Sequence, residues 1–302
     1  MKMKYFFTFS FMLLLLLNLT AQENKRNFKI HTVAFYNLEN LFDTINDVNK
    51  NDEASPIMEI RFNRGKIYRE KVSNMAEVVS QIGFDITKRP PSILGICEVE
   101  NRMVVEDLIS DEKLRKYNYG IVHYESPDDR GIDVGLIYNK DVFKVKNSSS
   151  HDVFITGNNS SKRRNTRDQL VVSGYLDGEL MHFIVNHWPS RGADETKRIA
   201  AAEVNNLIID SLRNTYESPK IITMGDFNDD PFDKSIKKIL GAKKNIKDIK
   251  KNDMYNPFET ILVDEGVGSN AYRDKWQLFD QIILSKPFLD KNYKDYQLYK
   301  AG

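Results

Sequence analysis

An acid and an amide, Asp226 and Asn228, lie two positions apart at the end of the apolar segment 221–224. Gly225 interrupts that segment, which is typical of a buried strand that ends in a tight loop. Together, the two side chains could hold a metal ion, orient a water molecule and bind a phosphate group. Taken alone, the same pair could equally form an Asx turn and nothing more. Its meaning therefore depends on what other segments supply.

Three further segments with strand-like patterns also end in a polar side chain. They are residues 28–36, followed by Asn37; residues 92–97, followed by Glu98; and residues 180–185, followed by Asn186 and His187. Each polar side chain has a structural explanation when taken singly, as a turn cap, a solvated loop acid or a packed histidine. The repeated placement favours one shared site, because ligands collect at the carboxyl ends of strands in α/β sheets.

The hydrophobic spacing in the rest of the sequence predicts the helices and strands that would position these residues. Apolar residues at helical spacing predict helices over 68–82, 102–116 and 196–212 and near 233–240, and alternation predicts strands over 119–124, 134–138, 142–145, 169–175 and 278–284. No internal repeat and no interdomain linker interrupts this order. Hairpin-like strands mixed with two strand–helix units predict an α/β sandwich of one domain.

The amino terminus predicts export. Lys2 and Lys4 precede the apolar run 11–17, and the small-residue segment 19–21 offers a cleavage site. This pattern is typical of a secretory signal peptide over residues 1–21, and a retained membrane anchor is the alternative. We therefore expect a mature domain over residues 22–302 that is soluble and periplasmic or extracellular.

Charge and cysteine content limit the function classes. Removal of residues 1–21 takes away two lysines and no acid, which changes the formal net charge from +1 to −1. A near-neutral chain lacks the basic footprint of a protein that binds nucleic acid by bulk electrostatics, although an enzyme that contacts a few phosphates is still possible. The single cysteine, Cys97, excludes an intramolecular disulfide.

Six motifs in order carry a family resemblance. They are Phe35–Asp43, Ile96–Asn101, Arg130–Asp133, Asn186–Arg191, Gly225–Asn228 and Phe279–Leu284. The set resembles the endonuclease/exonuclease/phosphatase superfamily, which includes deoxyribonuclease-I-like nucleases, and the similarity extends from about residue 28 to 285. The resemblance implies an α/β fold, a four-layer αββα sandwich of two packed mixed β-sheets flanked by helices, with the site at one edge of the sheets.

The resemblance also implies roles for individual residues. Glu98 resembles the principal Mg²⁺ ligand with Asn37 beside it, and Mn²⁺ or Ca²⁺ are alternative ions. Asp226 matches the acid that orients or deprotonates the attacking water, Asn228 the amide that holds the phosphate, and His187 the histidine that donates to the phosphate or the leaving oxygen. Four further residues are assigned as substrate or supporting groups: Arg130, Asp133, Arg167 and Arg191.

One part of the family pattern is missing from the 302 residues. Asp280 resembles the acid that orients a second histidine in a terminal Ser-Asp-His motif, but none of the five histidines follows His187. We therefore predict that the final strand and the Asp-His dyad are lacking. Either the sequence is a fragment of a longer enzyme, which the intact upstream motifs favour, or it is a diverged member with weak hydrolysis.

These features predict an exported, Mg²⁺-dependent phosphodiesterase. A nuclease that hydrolyses phosphodiester bonds by in-line attack of water is the first hypothesis, with a phosphate-ester substrate, nucleic acid, and no stable protein partner for a monomeric chain. Phospholipid or sugar-phosphate phosphatases and phosphodiesterases share the same site chemistry and stay open. A non-catalytic anion-binding protein that lacks the terminal dyad is the alternative outside the enzyme class.

Overall fold

The computed structural model describes residues 28–156, 163–290 and 294–299. The predicted signal peptide, residues 1–21, lies outside the described residues. The chain divides into residues Met1–Ile30 and a compact unit over His31–Gly302, which contains every element discussed below. None of the helices in the described ranges has both the length and the apolar character that crossing a membrane requires.

A four-stranded mixed sheet forms one half of the centre. Its strands are β1 (Val33–Leu41), β2 (Ile93–Val99), β3 (Tyr119–His123) and β4 (Asp133–Asn139). They lie in the order β1-β2-β4-β3, with β1 parallel to β2 and the other neighbours antiparallel. The parallel pair is the one that carries Asn37 and Glu98, so both side chains leave the sheet at the same end.

A seven-stranded mixed sheet forms the other half. The further strands, including two separate two-stranded ribbons, are β5 (Phe143–His151), β6 (Ile155–Thr156), β7 (Arg163–Arg164), β8 (Gln169–Leu176), β9 (Glu179–His187), β10 (Lys220–Asp226), β11 (Ala242–Lys243), β12 (Met254–Tyr255), β13 (Asn270–Tyr272), β14 (Lys275–Gln277) and β15 (Asp280–Ser285). The sheet has the order β11-β12-β15-β10-β9-β8-β5, and the ribbons are β6-β7 and β13-β14. At its centre β9 and β10 are parallel, and β15 runs antiparallel to β10.

Helices cover the outer face of each sheet. The α-helices are α1 (Pro56–Glu59), α2 (Arg64–Gln81), α3 (Phe84–Thr87), α4 (Arg102–Ser110), α5 (Glu195–Thr215) and α6 (Phe258–Val263), and a π-helix spans Ser235–Ile239. Helices α2 and α4 bury one apolar face each against the first sheet, where Leu94 and Ile96 point outward. Helix α5 and the π-helix pack against the second sheet, around Ile184 and Ile221.

The inner faces of the two sheets share one apolar core. Leu136 and Val134 of the first sheet lie in the same cluster as Phe183 and Val185 of the second. At Gly95, an added Cβ would lie 3.0 Å from the Met224 side chain, so the glycine allows the sheets to approach. The layers are therefore helix, sheet, sheet and helix, which confirms the predicted αββα sandwich of two mixed sheets.

Most predicted elements are present with shifted ends. The helix predicted over 68–82 begins at Arg64, and the helix predicted over 102–116 ends at Ser110. A separate 3₁₀ turn, Arg115–Tyr117, occupies the rest of the latter segment. The short helix predicted near 233–240 is a π-helix, a form that hydrophobic spacing does not distinguish from an α-helix. The predicted lack of a further C-terminal strand stays a prediction.

Candidate active site

Four site residues continue the inward-facing alternation of strands that otherwise bury apolar side chains. On β10, Ile222 and Met224 point into the core between the sheets, and Asp226 is the next position on that face. The same spacing of two places three further polar residues at this end: Asn37 after Val33 and Phe35, His187 after Phe183 and Val185, and Asp280 before Ile282 and Leu284. The site is therefore the polar end of the inter-sheet core.

Glu98 reaches the same place through a β-bulge. Cys97 pairs with Val134, and Val99 pairs with Asp133, so Glu98 is an extra residue in β2. Its φ of 57° lies in the left-handed region, which costs a non-glycine residue about 1–2 kcal/mol. Regular alternation would point Glu98 outward with Leu94 and Ile96. Because the bulge re-aims the side chain, its carboxylate faces the second sheet instead.

Asn37 bridges the two carboxylates. Its Nδ2 donates to Glu98 Oε1 and to Asp226 Oδ2, both at 3.2 Å, and its Oδ1 accepts from the Glu39 backbone amide at 2.8 Å. The second oxygen of Glu98, Oε2, accepts from the Asn40 backbone amide at 3.0 Å. The amide nitrogen of Asn37 thus faces the carboxylates, and coordination through Oδ1 requires a half-turn of the side-chain amide.

His187 is buried beside these acids. Its Nε2 lies 3.8 Å from Glu98 Oε1 and 3.9 Å from Asp226 Oδ2. Burial, and then the positive charges of Arg167 and Arg130, lower the pKa of His187 well below its usual range. Its Nδ1 is buried and has no hydrogen-bond partner in the described part of the chain. The imidazole is therefore neutral near pH 7, with Nε2 directed into the site.

The loop after β10 is fixed by its own side chains. Asp226 Oδ1 accepts from the Asn228 backbone amide at 2.9 Å, and Asn228 adopts a φ of 50°. The orientation of the Asn228 side chain is also fixed, because its Nδ2 donates to the Trp188 carbonyl at 3.0 Å. Trp188 in turn packs edge-on against Phe227, with ring centroids 4.7 Å apart. These contacts hold Asp226 and Asn228 in one orientation.

Asp226 has the electrostatics of a base poised near neutral pH. Burial, and then the charge of Asp280, raise the pKa of Asp226 from 3.8 to about 7. Asp280 is the register partner of Asp226 across β10 and β15. Burial also raises the pKa of Asp280, and its Oδ1 has no hydrogen-bond partner among the described residues. Because these two acids lie side by side with little contact to water, a positive charge beside them would be stabilising.

The four predicted supporting residues have different surroundings. Arg167 is buried and donates from Nη2 to the Trp188 carbonyl at 2.6 Å, so it belongs to the site and not to a basic surface. Arg191 pairs with Asp229, Asp230 and Asp233 and lies over the Phe279 ring. Its guanidinium group is therefore already paired with acids of the same fold. Arg130 is half-exposed beside Asp128. Asp133 is fully buried and pairs with His123 at 3.1 Å.

The donor set suits a divalent ion. Glu98, His187 and Asp226 each place a ligand atom within 4.8 Å of the other two. Carboxylate oxygens are the preferred ligands of Mg²⁺, which usually binds one or two carboxylates and keeps several waters. The raised pKa of Asp226 indicates that this corner favours an added positive charge. Glu98 and Asp226 are the residues that would hold the ion, with Asn37 beside them.

Sequence reasoning missed several groups that shape this site. The Asn40 backbone amide and the Trp188 carbonyl fix Glu98 and Asn228, and backbone atoms carry no sequence signal. Asp128 was not singled out, although its Oδ2 accepts from Arg167 Nη1 at 3.4 Å. An Asp-Asp-Arg segment directly before the Gly-Ile-Asp motif was the only available indication.

We expect the metal-free Asp226→Asn variant to gain stability over the parent chain as pH rises. The folded-state pKa of Asp226, about 7, lies above its ordinary value of 3.8, so the folded parent binds the proton more tightly than the unfolded chain. The stabilisation that this tighter proton binding gives the folded parent is fully present below pH 3.8 and is lost as pH rises through 7. Asparagine does not titrate, so the variant shows no such loss. Between about pH 5 and pH 8, the difference in unfolding free energy should change by about 2–3 kcal/mol.

Urea unfolding in EDTA at both pH values measures this difference. The exposed Asp210→Asn substitution on α5 is the control and should show no such change. If the unfolding free energies of parent and variant differ by the same amount at both pH values, the assignment of Asp226 as a buried acid with a raised pKa is contradicted.

Solved structures with the same architecture include three of similar size. The endonuclease/exonuclease/phosphatase from Bacteroides vulgatus is 13% identical with a TM-score of 0.52, covering 83% of this chain and 85% of that chain. ANGEL2, a 2′,3′-cyclic phosphatase, is 12% identical with a TM-score of 0.53, covering 81% of each chain. A humanized D. rerio TDP2 with 14 mutations is 14% identical with a TM-score of 0.50, covering 83% of this chain and 81% of that chain. These likenesses show the fold.

The model of the Endonuclease/Exonuclease/phosphatase family matches residues 32–302, and the chain belongs to that family. Members of the superfamily are phosphoric ester hydrolases and generally use divalent metals. No curated protein sequence matches the chain significantly. The predicted family resemblance is confirmed.

Proposed function

We propose that this chain is an exported, Mg²⁺-dependent phosphodiesterase that cleaves nucleic acid by in-line attack of water on phosphorus. The observation that supports this most is the meeting of two carboxylates, two amides and a neutral imidazole at one end of the inter-sheet core. These groups are Glu98, Asp226, Asn37, Asn228 and His187. The oligomeric state and the ion are part of the proposal: a monomer that uses Mg²⁺, with Mn²⁺ as a substitute.

Each side chain has a chemical task in this reaction. Asp226 accepts a proton from the attacking water, and its pKa in the metal-free site, about 7, is near the operating pH at which a base works best. His187 is neutral and donates a hydrogen bond from the imidazole to a phosphate oxygen or the leaving oxygen. Asn37 holds the two carboxylates in place. When bound at Glu98, Mg²⁺ supplies Lewis-acid stabilisation of the negative phosphate oxygens.

No covalent intermediate with the enzyme is part of the proposal. Cys97 is the only thiol of the chain, it lies in the inter-sheet core, and burial raises its pKa well above the usual range. A protonated, buried thiol is a poor nucleophile. Water is therefore the nucleophile that the arrangement supports.

A nucleic-acid substrate is supported by the ribbon that precedes Asp280. On β13 and β14, Tyr272 and Trp276 are 58% and 57% exposed, and the segment between them is Arg273-Asp274-Lys275. The Arg273 guanidinium lies 5.1 Å from the centre of the Tyr272 ring. Exposed aromatic rings with adjacent cations are the combination that stacks on bases and follows a single-stranded phosphate backbone. The ribbon is joined to β15 by two residues, so it lies next to the site.

Initial rates on a substrate panel with Mg²⁺ test the substrate class. Single-stranded DNA, single-stranded RNA, phospholipid vesicles and inositol phosphates represent the competing classes. We expect hydrolysis of nucleic acid, and Trp276→Ala should raise KM for it about tenfold with little change in kcat, since one stacked base contributes about 1–3 kcal/mol. The control Phe62→Ala removes another exposed aromatic ring, from the segment before α2. Turnover confined to vesicles or inositol phosphates would contradict the nuclease assignment.

Export is supported by the pattern of residues 1–21. Expression of the whole chain in a Gram-negative host, followed by fractionation, tests it. The exported fraction should contain protein that begins at Gln22, as read by amino-terminal sequencing. Recovery of the uncleaved chain in the cytoplasm alone would contradict export.

A further inference from the structure

A second group of metal-ligating side chains lies on the first sheet, outside the candidate active site. His123 ends β3, Asp133 begins β4, and Glu125 lies in the loop that joins them. Each of the three places one ligand atom within 4.8 Å of the other two. His123 Nε2 and Asp133 Oδ2 are 3.1 Å apart, and their side chains are 3% and 0% exposed. Glu125 is exposed and forms the open side of the group.

This group is distinct from the Glu98 site. In the strand order β1-β2-β4-β3, Asp133 is the register partner of Val99, which places it one strand away from Glu98. His123 lies two strands away. The two groups share no ligand residue.

We propose that His123, Glu125 and Asp133 form a second cation site that binds a transition-metal dication such as Zn²⁺. One imidazole nitrogen with two carboxylate oxygens is a ligand set suited to zinc, which binds three protein ligands and leaves a position for water in open sites.

The surroundings orient the ligands and leave room for the open position. The Ser126 backbone amide donates to Asp133 Oδ1 at 2.8 Å, which fixes the carboxylate and directs Oδ2 toward His123. Such outer contacts are the usual means of holding a metal ligand in place. Glu125, the exposed ligand, also lines a cavity of about 250 Å³ whose lining includes neither His123 nor Asp133. An ion would therefore reach the group past Glu125.

An ion at this position would tie both ends of loop 124–132 together. Within that loop, Asp128 Oδ2 accepts from Arg167 Nη1, and Arg167 Nη2 donates to the Trp188 carbonyl. Asn228 Nδ2 donates to the same carbonyl. An ion at the second site would therefore hold loop 124–132, which contacts the loop of Asp226 and Asn228 through Arg167 and the Trp188 carbonyl. Its role is to position these residues, and its occupancy does not depend on the proposed hydrolytic activity.

Calorimetric titration of the full chain with Zn²⁺, in excess Mg²⁺, tests the site. Glu98→Gln provides the background, because it removes one ligand from the first group. In that background we expect one Zn²⁺ per chain. Adding His123→Gln or Glu125→Gln should weaken binding at least about 100-fold, since even the loss of an outer contact costs about 10–100-fold. Adding His151→Gln, which changes a half-buried histidine on β5, should leave binding unchanged.

Two results would overturn the proposal. One is Zn²⁺ affinity within about threefold of the background in the Glu125→Gln chain and, where it folds, in the His123→Gln chain. The other is the absence of a Zn²⁺ site from the Glu98→Gln background while its circular dichroism spectrum matches that of the parent. Because Glu125 is exposed, Glu125→Gln should retain the fold and keeps the test decisive even if His123→Gln unfolds.

Discussion

Replacement of Glu98 by glutamine should lower Mg²⁺-dependent hydrolysis by about 10³-fold or more. The substitution keeps the shape of the side chain and an oxygen for the Asn40 backbone amide, but it removes the negative charge at the centre of the group. A metal ion that stabilises developing charge on phosphate contributes several kcal/mol to the barrier, and each 1.4 kcal/mol is about tenfold in rate. We expect a weaker apparent Mg²⁺ affinity together with the loss of rate.

The matched control is Glu106→Gln on the neighbouring helix α4. Glu106 is exposed and pairs with Arg102 on the same helix. The activity of the Glu106→Gln chain should therefore stay within about twofold of that of the parent. Circular dichroism and thermal unfolding exclude a general loss of structure. A Glu98→Gln chain with parental kcat and parental Mg²⁺ dependence would remove Glu98 from the metal site.

The second large effect is expected for Asp226→Asn in the presence of Mg²⁺. Asparagine preserves the acceptor for the Asn228 backbone amide but cannot take a proton from water. Loss of a general base commonly lowers the rate about 10²–10⁴-fold, and we expect kcat to fall within this range with a smaller change in KM. The ascending limb of the parental pH–rate profile, which reflects deprotonation of Asp226, should disappear in the variant.

This prediction separates a base from a residue that only holds structure. Circular dichroism and thermal unfolding of the variant in Mg²⁺ show whether lower activity comes from unfolding. The control Asp210→Asn should retain the parental kcat and pH profile. An Asp226→Asn chain with reduced kcat but an unchanged ascending limb would assign the proton transfer to another group.

The sequence predicts the fold and the polar strand ends well because both depend on local pattern. Apolar alternation locates strands, and the polar side chain two positions after the last apolar one lies on the same face. Asn37, His187 and Asp226 follow this rule, and the structure places them together. Their meeting needed no long-range information beyond the packing of two sheets, which the family resemblance implied.

Other features depend on contacts that local pattern does not encode. Glu98 breaks the alternation through a bulge that arises from its pairing with two neighbouring strands. Arg191, which the resemblance assigns as a substrate or supporting group, pairs with three acids that follow β10. His123 and Asp133 are ten positions apart in the sequence and become neighbours only because β3 and β4 pair. Strand pairing and ion-pair partners are properties of the assembled sheets.

Hydrolysis of single-stranded DNA before and after metal removal tests whether Glu98 and Asp226 form a metal-dependent hydrolytic site. The purified parent chain is dialysed against EDTA, assayed, supplied with Mg²⁺ and assayed again, with Glu98→Gln treated in parallel. We expect the parent to lose turnover in EDTA and to regain it with Mg²⁺, and Glu98→Gln to stay at least about 10³-fold slower than the parent in Mg²⁺. Turnover by the parent that persists in EDTA, or equal recovery by Glu98→Gln, would contradict a metal-dependent site built on Glu98 and Asp226.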